Sequence, residues 1–180
     1  SITSGIVKAF KEKHKDLSVL QIDAHADLRE DFEGSRHSHA CAMKRTMEIC
    51  PIVQVGIRSL SQEESEFVKE KKLNIFWAED IFDNDSWFDE AADMLSKNVY
   101  ITFDLDGLDP SIMPSVGTPE PGGLGYYQIL RFLKKIYEKR NVVGFDIVEL
   151  CPKENDIISD FTAARLVYKL IGYKFLEKNK

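Results

Sequence analysis

The sequence has few cysteines, and their spacing builds neither a disulfide framework nor a thiolate metal site. Cys41, Cys50 and Cys151 are odd in number and form no C-x-x-C pair. This pattern favours reduced thiols in a reducing compartment, so we expect a cytoplasmic protein. Cys151 is predicted to be buried and structural, because no activating base that would make it a nucleophile is evident in the sequence.

An excess of basic residues is also missing. The 180 residues include 24 Lys and Arg against 30 Asp and Glu, which gives a net charge of −6. A nucleic-acid surface normally carries a basic stripe, so this balance argues against a nucleic-acid partner. No apolar run is long enough to cross a bilayer, and the stretch 1–10 lacks the regions of a signal peptide. We therefore expect no membrane partner either.

The chain lacks low-complexity tracts, internal repeats and linkers rich in Pro or Gly. Its length allows one well-buried core and is short for two, and 43% of its residues are hydrophobic. We therefore treat 1–180 as a single domain.

Apolar runs of β type alternate with helical patterns along the chain. The predicted strands are 17–23, 51–57, 73–78, 99–105 and 142–148, and the predicted helices lie near 3–15, 40–49, 61–72, 86–97, 125–140 and 157–176. Ser61 and Glu64 form a capping-box signature at the third helix. Nearly continuous apolar strands that alternate with helices indicate an α/β fold with a parallel sheet covered on both faces.

Two acidic clusters follow predicted strands at the points where these strands end. Asp23, His25 and Asp27 come after the first strand, and Asp104 and Asp106 after the fourth. Ligands of parallel sheets bind beyond the carboxyl ends of the strands, so both clusters are expected at one edge. If the chain stays extended, residues two positions apart point to the same side of the backbone, so the two clusters can bind ions between them.

Four converging aspartates would raise one another's pKa values unless cations neutralised them. Two divalent ions would balance the four charges, and a carboxylate-rich set with one imidazole favours manganese or magnesium over zinc. Each cluster alone also has a simpler interpretation, either a solvated turn with a capping aspartate or Asp-Pro turn chemistry. Their occurrence together, at equivalent strand ends, favours a metal site.

Four stretches resemble signatures of one family, the ureohydrolases, which include arginases and agmatinases. They read "DAHADLRE" at 23–30, "SHA" at 38–40, "FDLDGLDPSIMPSVGTPEPGGL" at 103–124 and "GFDIVELCP" at 144–152. The resemblance runs in order from residue 1 to about residue 165. It implies a three-layer α/β/α fold of the arginase/deacetylase type, a centre of two Mn²⁺ ions per subunit, and homo-oligomers that are commonly trimers or hexamers. The implied reaction is hydrolysis of a guanidino compound to urea and an amine, by a hydroxide that bridges the ions.

The resemblance also implies a role for each metal ligand. Asp23 and Asp104 match the carboxylates that touch both ions. His25 and Asp106 complete the shell of one ion, and Asp27 belongs to the other.

Three further residues match family positions that contact the substrate. Glu149 matches the glutamate that holds the guanidinium, although from position alone it would be a surface residue at a strand end. Thr118 matches a threonine that contacts the same group, and its simpler interpretation is a turn residue before proline. His39 matches the histidine that shuttles protons to the leaving amine, a role suited to imidazole. His37 could compete for that role.

Two positions depart from the family pattern. In the family, the serine that corresponds to Ser1 follows a histidine that ligates the ion also held by Asp27, so we expect a sixth ligand to precede Ser1. The chain thus resembles a C-terminal portion that lacks the Gly-rich segment ending in that histidine. Thr102 replaces a frequent serine and keeps the hydroxyl.

The loop after the first cluster bears on the substrate. It carries Glu30, Asp31 and Glu33 and lacks the Ser and Asn pattern with which arginases hold a carboxylate. Acidic groups would attract a cation, so agmatine, cleaved to putrescine and urea in polyamine biosynthesis, is the first expectation. Arginine or another guanidino acid is the alternative substrate, and a metal-binding but inactive structural or regulatory relative is the alternative from a different class.

Overall fold

A computed structural model of the chain describes residues 2–176. The strands are β1 (Leu17–Ile22), β2 (Ile52–Ile57), β3 (Ile75–Trp77), β4 (Asn98–Asp104) and β5 (Asn141–Val148). The helices are α1 (Ile2–Lys13), α2 (Ala42–Met47), α3 (Gln62–Lys71), α4 (Ala78–Ile81), α5 (Phe88–Asp93), α6 (Tyr126–Lys139) and α7 (Ile157–Leu176). Short 3-10 turns span His39–Cys41 and Leu105–Gly107.

The five strands form one parallel sheet in the order β3-β2-β1-β4-β5. Strands β1 and β2 are buried along their whole length, which explains their nearly continuous apolar pattern. On one face, the core includes Val7 of α1, Met43 of α2 and Val68 of α3. On the other face, α5, α6 and α7 contribute to a larger cluster that contains Phe132 and Leu166. The predicted α/β/α layering is confirmed.

The predicted elements agree closely with the observed ones, with differences at the ends. Helix α7 has the predicted bounds, while α5 is shorter than the predicted 86–97. The four-residue helix α4 was not predicted, because it directly follows β3 and is too short to show a helical pattern of apolar residues. The capping box is confirmed: Ser61 Oγ accepts the backbone N–H of Glu64, and the Glu64 carboxylate accepts that of Ser61.

The sheet topology brings the two acidic clusters together. Strands β1 and β4 are neighbours, with Ile22 paired to Phe103, so Asp23 and Asp104 leave the sheet side by side. The backbone at residue 107 lies so close to that of Asp23 that only glycine fits there, because a Cβ at this position would lie 2.9 Å from the backbone nitrogen of Asp23. Between residues 2 and 176, no helix is long and apolar enough to cross a membrane.

Candidate active site

All eight candidate site residues line one cavity at the carboxyl edge of the sheet, with a volume of about 430 Å³. They are Asp23, His25, Asp27, His39, Asp104, Asp106, Thr118 and Glu149. A second cavity of about 300 Å³ is also lined by several of them, including Asp23, Asp104 and Glu149. The structure therefore brings together residues that are up to 126 positions apart in the sequence, from Asp23 to Glu149.

Asp23, His25 and Asp106 form the most compact group in the cavity. Each offers one ligand atom, and these atoms all lie within 4.8 Å of one another. His25 Nδ1 lies 3.0 Å from Asp106 Oδ2 and 3.6 Å from Asp23 Oδ1. Within residues 2–176 this is the one group of three or more side chains with metal-ligand geometry. Asp27 and Asp104 line the same cavity but stand outside this group.

The condition that the chain stays extended through each cluster is not met. Strand β1 ends at Ile22, and the backbone N–H of His25 turns back to donate to Asp23 Oδ1 at 2.6 Å. Asp104 caps the 3-10 turn that follows β4, and its Oδ1 accepts the N–H of Asp106 at 3.0 Å. Each turn uses a carboxylate oxygen to satisfy a backbone donor that has left the sheet. The clusters converge because β1 and β4 are neighbours, and within this pair of turns His25 Nδ1 comes to lie 3.0 Å from Asp106 Oδ2.

Burial dominates the electrostatics of the carboxylates. Desolvation raises the pKa of Asp23 to about 7. It also raises the pKa of Asp104 and that of Asp27, and the charge of Asp23 adds to both effects. The site thus holds several carboxylates whose ionised forms lack sufficient compensating positive charge.

His25 is the single cationic partner within the compact group. Hydrogen bonds to Asp106 and Asp23 raise the pKa of the His25 imidazole to about 10. Although burial alone would raise the pKa of Asp106, the hydrogen bond from His25 lowers it. One imidazolium therefore compensates mainly one carboxylate.

The donor set fits divalent metal ions. Four buried or partly buried carboxylates and one imidazole supply hard oxygen ligands and a single nitrogen, the preference of manganese and related ions. A cation would offset the desolvation that raises the pKa values of Asp23, Asp27 and Asp104. Binding would also displace the proton of His25, since an imidazole ligates in its neutral form.

Arg58 is a supporting residue that sequence reasoning missed. Its guanidinium donates to the backbone oxygens of Asp106 and Glu120, both at 2.7 Å, and to Pro121 at 3.0 Å. It thereby ties the loop after β4 to the end of β2. The sequence offered one signal for this role: Arg58 directly follows a predicted strand, in a chain whose acidic clusters also lie at strand ends.

His39 lies on the cavity wall beside an aromatic ring. Its ring packs edge-on against Phe32 at a centroid distance of 5.6 Å, and its Nδ1 lies 3.3 Å from Ser38 Oγ. His37 is exposed and does not line the cavity. The geometry therefore favours His39 over His37 for contact with a bound molecule.

Glu149 and Thr118 face the cavity from two other segments. Glu149 directly follows β5 with a backbone φ of +65°, and Asp27 has a φ of +55°. Non-glycine residues rarely adopt this left-handed conformation, and such residues concentrate at functional sites. Thr118 Oγ1 lies 3.4 Å from Asp106 Oδ2, so it adjoins the compact group.

Two expectations about neighbouring residues need correction. Cys151 is exposed, because it lies in the irregular segment between β5 and α7, while Cys41 and Cys50 are buried. The loop with Glu30, Asp31 and Glu33 carries less unpaired acidic charge than expected, since Arg36 and Arg45 pair with Glu30 at 2.7 and 3.1 Å. The attraction of a cation to the loop therefore rests on fewer charges than the sequence suggested.

The chain belongs to the arginase family, whose family model matches residues 1–172. It is 44% identical over 176 residues to the N(1)-aminopropylagmatine ureohydrolase of Synechocystis sp., covering 96% of this chain and 58% of that protein. It is 43% identical to the protein of the same name from Thermus thermophilus, covering 98% and 60%.

Solved structures show the same relationship at the level of the fold. The crystal structure of the agmatine ureohydrolase of Thermoplasma volcanium matches with a TM-score of 0.85 and 36% identity, over 96% of this chain and 59% of that one. The predicted fold class and family are thus confirmed. The chain spans about three fifths of the length of the relatives it matches.

Proposed function

We propose that the protein is a manganese-dependent ureohydrolase that cleaves the guanidinium group of a cationic amine. The observation that carries this proposal is the convergence of five metal-type ligands with His39 and Glu149 in one cavity. Membership of the arginase family supports the reaction class.

Asp23, His25, Asp27, Asp104 and Asp106 would hold two manganese ions. When bound there, such ions would lower the pKa of a bound water and so supply a hydroxide nucleophile for the guanidinium carbon near neutral pH. The compact group of Asp23, His25 and Asp106 offers ligand atoms for one ion. Asp27 and Asp104, together with Asp23, line the cavity where the second would bind.

Glu149 would bind the substrate, and His39 would protonate its leaving group. A carboxylate accepts paired N–H donors well, so Glu149 would hold and orient the guanidinium through charge-assisted hydrogen bonds. His39 would deliver a proton to the departing amine nitrogen, whose protonation lets the C–N bond break to give urea. Thr118, beside Asp106, would contact the guanidinium through its hydroxyl oxygen.

The substrate is proposed to be agmatine or a compound built on the agmatine skeleton. Agmatine, cleaved to putrescine and urea, was the expectation from the acidic loop and from the missing carboxylate-binding pattern. The relatives from Synechocystis and Thermus are named for N(1)-aminopropylagmatine, which favours that longer cation as the second candidate. Both lack the carboxylate that distinguishes arginine.

A substrate comparison tests this choice. Urea release should be measured with the full-length protein and added Mn²⁺ on agmatine, N(1)-aminopropylagmatine and arginine at equal concentrations. We expect one of the two carboxylate-free cations to be hydrolysed fastest, with arginine far slower. Arginine turned over as well as either would overturn the substrate assignment and leave the reaction class intact. Manganese binding without urea release from any guanidino compound would favour an inactive relative.

The family resemblance supports a proposal for the assembly, and the cysteine pattern supports one for the location. We propose a homo-oligomer, a trimer or a hexamer, in the cytoplasm. Analytical ultracentrifugation of the full-length protein would test the assembly, and a monomer at micromolar concentration would contradict it.

A further inference from the structure

Two glutamines lie beneath the acidic clusters, inside the sheet. Gln21 is on β1 and Gln54 is on β2, and the strand register pairs them directly. Their exposed fractions are 1% and 0%. Fully buried amides within apolar strands are uncommon and need partners, because unpaired polar groups are costly to desolvate.

The two side chains form a directed chain of hydrogen bonds that ends at Asp23. Gln54 Nε2 donates to Gln21 Oε1 at 2.5 Å and to the backbone oxygen of Ala26 at 2.8 Å. Gln21 Nε2 donates to Asp23 Oδ2 at 2.6 Å. Two carbonyl oxygens thus face the Gln54 amide nitrogen, so a flip of that amide would set oxygen against oxygen. The orientation of Gln54 fixes that of Gln21.

Both oxygens of Asp23 are held by this arrangement. Oδ2 accepts from Gln21, and Oδ1 accepts from the backbone N–H of His25 at 2.6 Å. A carboxylate bound at both oxygens cannot rotate about its last torsion without losing a hydrogen bond. Each oxygen still has a lone pair available for a ligand, because a carboxylate accepts about four hydrogen bonds or ligands in total.

The arrangement carries a cost to folding. Gln54 Oε1 is buried and has no hydrogen-bond partner among the described residues. An unsatisfied buried acceptor typically costs about 1–3 kcal/mol. An apolar side chain of similar size at this position would avoid that cost, but it would leave Gln21 Oε1 and the Ala26 oxygen without their donor, so Gln54 contributes to the fold as well as to this network.

We propose that Gln21 and Gln54 act as positioning residues that fix the Asp23 carboxylate for metal binding. Gln21 holds Oδ2 of Asp23, and Gln54 holds Gln21 in the one amide orientation that presents a donor to it. This role depends on the manganese centre proposed above. Groups that orient metal ligands in this way typically contribute about 10–100-fold in metal affinity.

The test compares Mn²⁺ affinity with the stability of the metal-free protein. The variants are Gln21→Met, Gln54→Met and the double variant, made in the full-length protein. Mn²⁺ affinity is measured by isothermal titration calorimetry, and the metal-free midpoint of thermal unfolding by calorimetry. The matched control is Ser18→Ala, which removes another buried polar side chain of β1 that accepts the N–H of Ser96 at 2.9 Å, away from the site.

We expect Gln21→Met and the double variant to bind Mn²⁺ about 10–100-fold more weakly than the wild type. Gln54→Met should show a smaller loss, because Gln21 remains but can reorient. The double variant should unfold below the wild type, because Asp23 Oδ2 and the Ala26 oxygen lose their donors, while the bond between the two amides is removed with both of its partners. Ser18→Ala should unfold at lower temperature and keep wild-type affinity.

Gln54→Met keeps the test decisive if Gln21→Met fails to fold, because Asp23 Oδ2 keeps its donor in that variant. Wild-type Mn²⁺ affinity in the folded double variant would overturn the positioning role and leave the proposed function standing. Failure of the wild-type protein itself to bind Mn²⁺ would overturn the proposed function, and the positioning role with it.

Discussion

Aspartates gather in two regions of this molecule, and they behave in opposite ways. In the site cluster, Asp23, Asp104 and Asp106 are at most 7% exposed. In the surface ladder between α5 and α6, the side chains of the aspartates are 40–62% exposed and lie within 3.5 Å of basic groups. The ladder consists of Asp85, Asp89 and Asp93 with Arg131, Lys135, Lys139 and Arg140.

The pKa values follow this division. In the ladder, hydrogen bonds from Lys139 and Lys135 lower the pKa of Asp89. In the site cluster, desolvation raises the pKa values of Asp23 and Asp104. The ladder supplies its own cations, whereas within the described residues the site cluster has too few. The comparison shows that a group of aspartates indicates function when the protein buries it without matching positive charge.

The largest effect is expected from Asp104→Asn. The side-chain oxygen of the amide can still accept the N–H of Asp106, but the substitution removes one negative charge from the proposed metal site. We expect urea release and Mn²⁺ affinity to fall by more than the roughly 10–100-fold typical of groups that only orient a ligand. Because the buried charge is destabilising without a cation, the metal-free variant should unfold at the wild-type temperature or above it.

Calorimetric titration with Mn²⁺ and a thermal scan with chelator check both parts of this expectation. An Asp104→Asn protein with wild-type Mn²⁺ affinity would place the metal site elsewhere. A large loss of metal-free stability would show that the carboxylate serves the fold, as the ladder does.

A smaller effect is expected from Glu149→Gln. Hydrogen bonds to charged groups contribute about 1.5–3 kcal/mol, so the loss of the carboxylate should lower kcat/KM roughly 10- to 100-fold. Mn²⁺ affinity should be unchanged, because Glu149 is assigned to the substrate. Steady-state kinetics with the preferred guanidino substrate measure the first, and calorimetry the second.

Glu154→Gln is the matched control, since Glu154 is an exposed glutamate in the same connection between β5 and α7. It should leave both quantities at wild-type values. Equal kinetics in the two variants would remove Glu149 from the substrate site.

The smallest effect is expected from Asp89→Asn in the ladder. Exposed ion pairs contribute little and are screened by salt, so activity should not change and the unfolding temperature should fall slightly. Because the folded-state pKa of Asp89 is lowered, its contribution is present above the unfolded value of about 3.9 and is lost as the pH falls through the lower folded value. Thermal scans from pH 7 to pH 2 should show the variant and wild type converging in acid. A difference independent of pH would contradict the ion-pair account.

Most residues of the candidate site could be predicted from the sequence, because they occur in short motifs at the ends of predicted strands. Asp23, His25, Asp104 and Asp106 could be placed together from two motifs and the rule that parallel strands end at one edge. The fold class followed from alternating apolar strands and helices. Glu149 and His39 needed the family resemblance, since neither stands out by spacing.

Other features depend on register and backbone conformation, which sequence patterns do not reveal. Gln21 and Gln54 look like isolated polar residues within apolar strands, and only the pairing of β1 with β2 shows that they meet. His25 and Asp106 meet through turns that hold their backbone N–H groups on Asp23 and Asp104, where the sequence argument considered an extended chain. Cys151 was predicted to be buried and structural because the sequence shows no activating base for it, but its segment lies on the surface.

The most direct test of the central claim is urea release from agmatine and from N(1)-aminopropylagmatine by chelator-treated full-length protein as Mn²⁺ is restored. We expect no urea before addition, and activity that rises with occupancy of the site and is absent in Asp104→Asn at the same Mn²⁺ concentration. Urea release that is independent of Mn²⁺, or retained in Asp104→Asn, would contradict the claim that the buried carboxylates form the metal centre of a ureohydrolase.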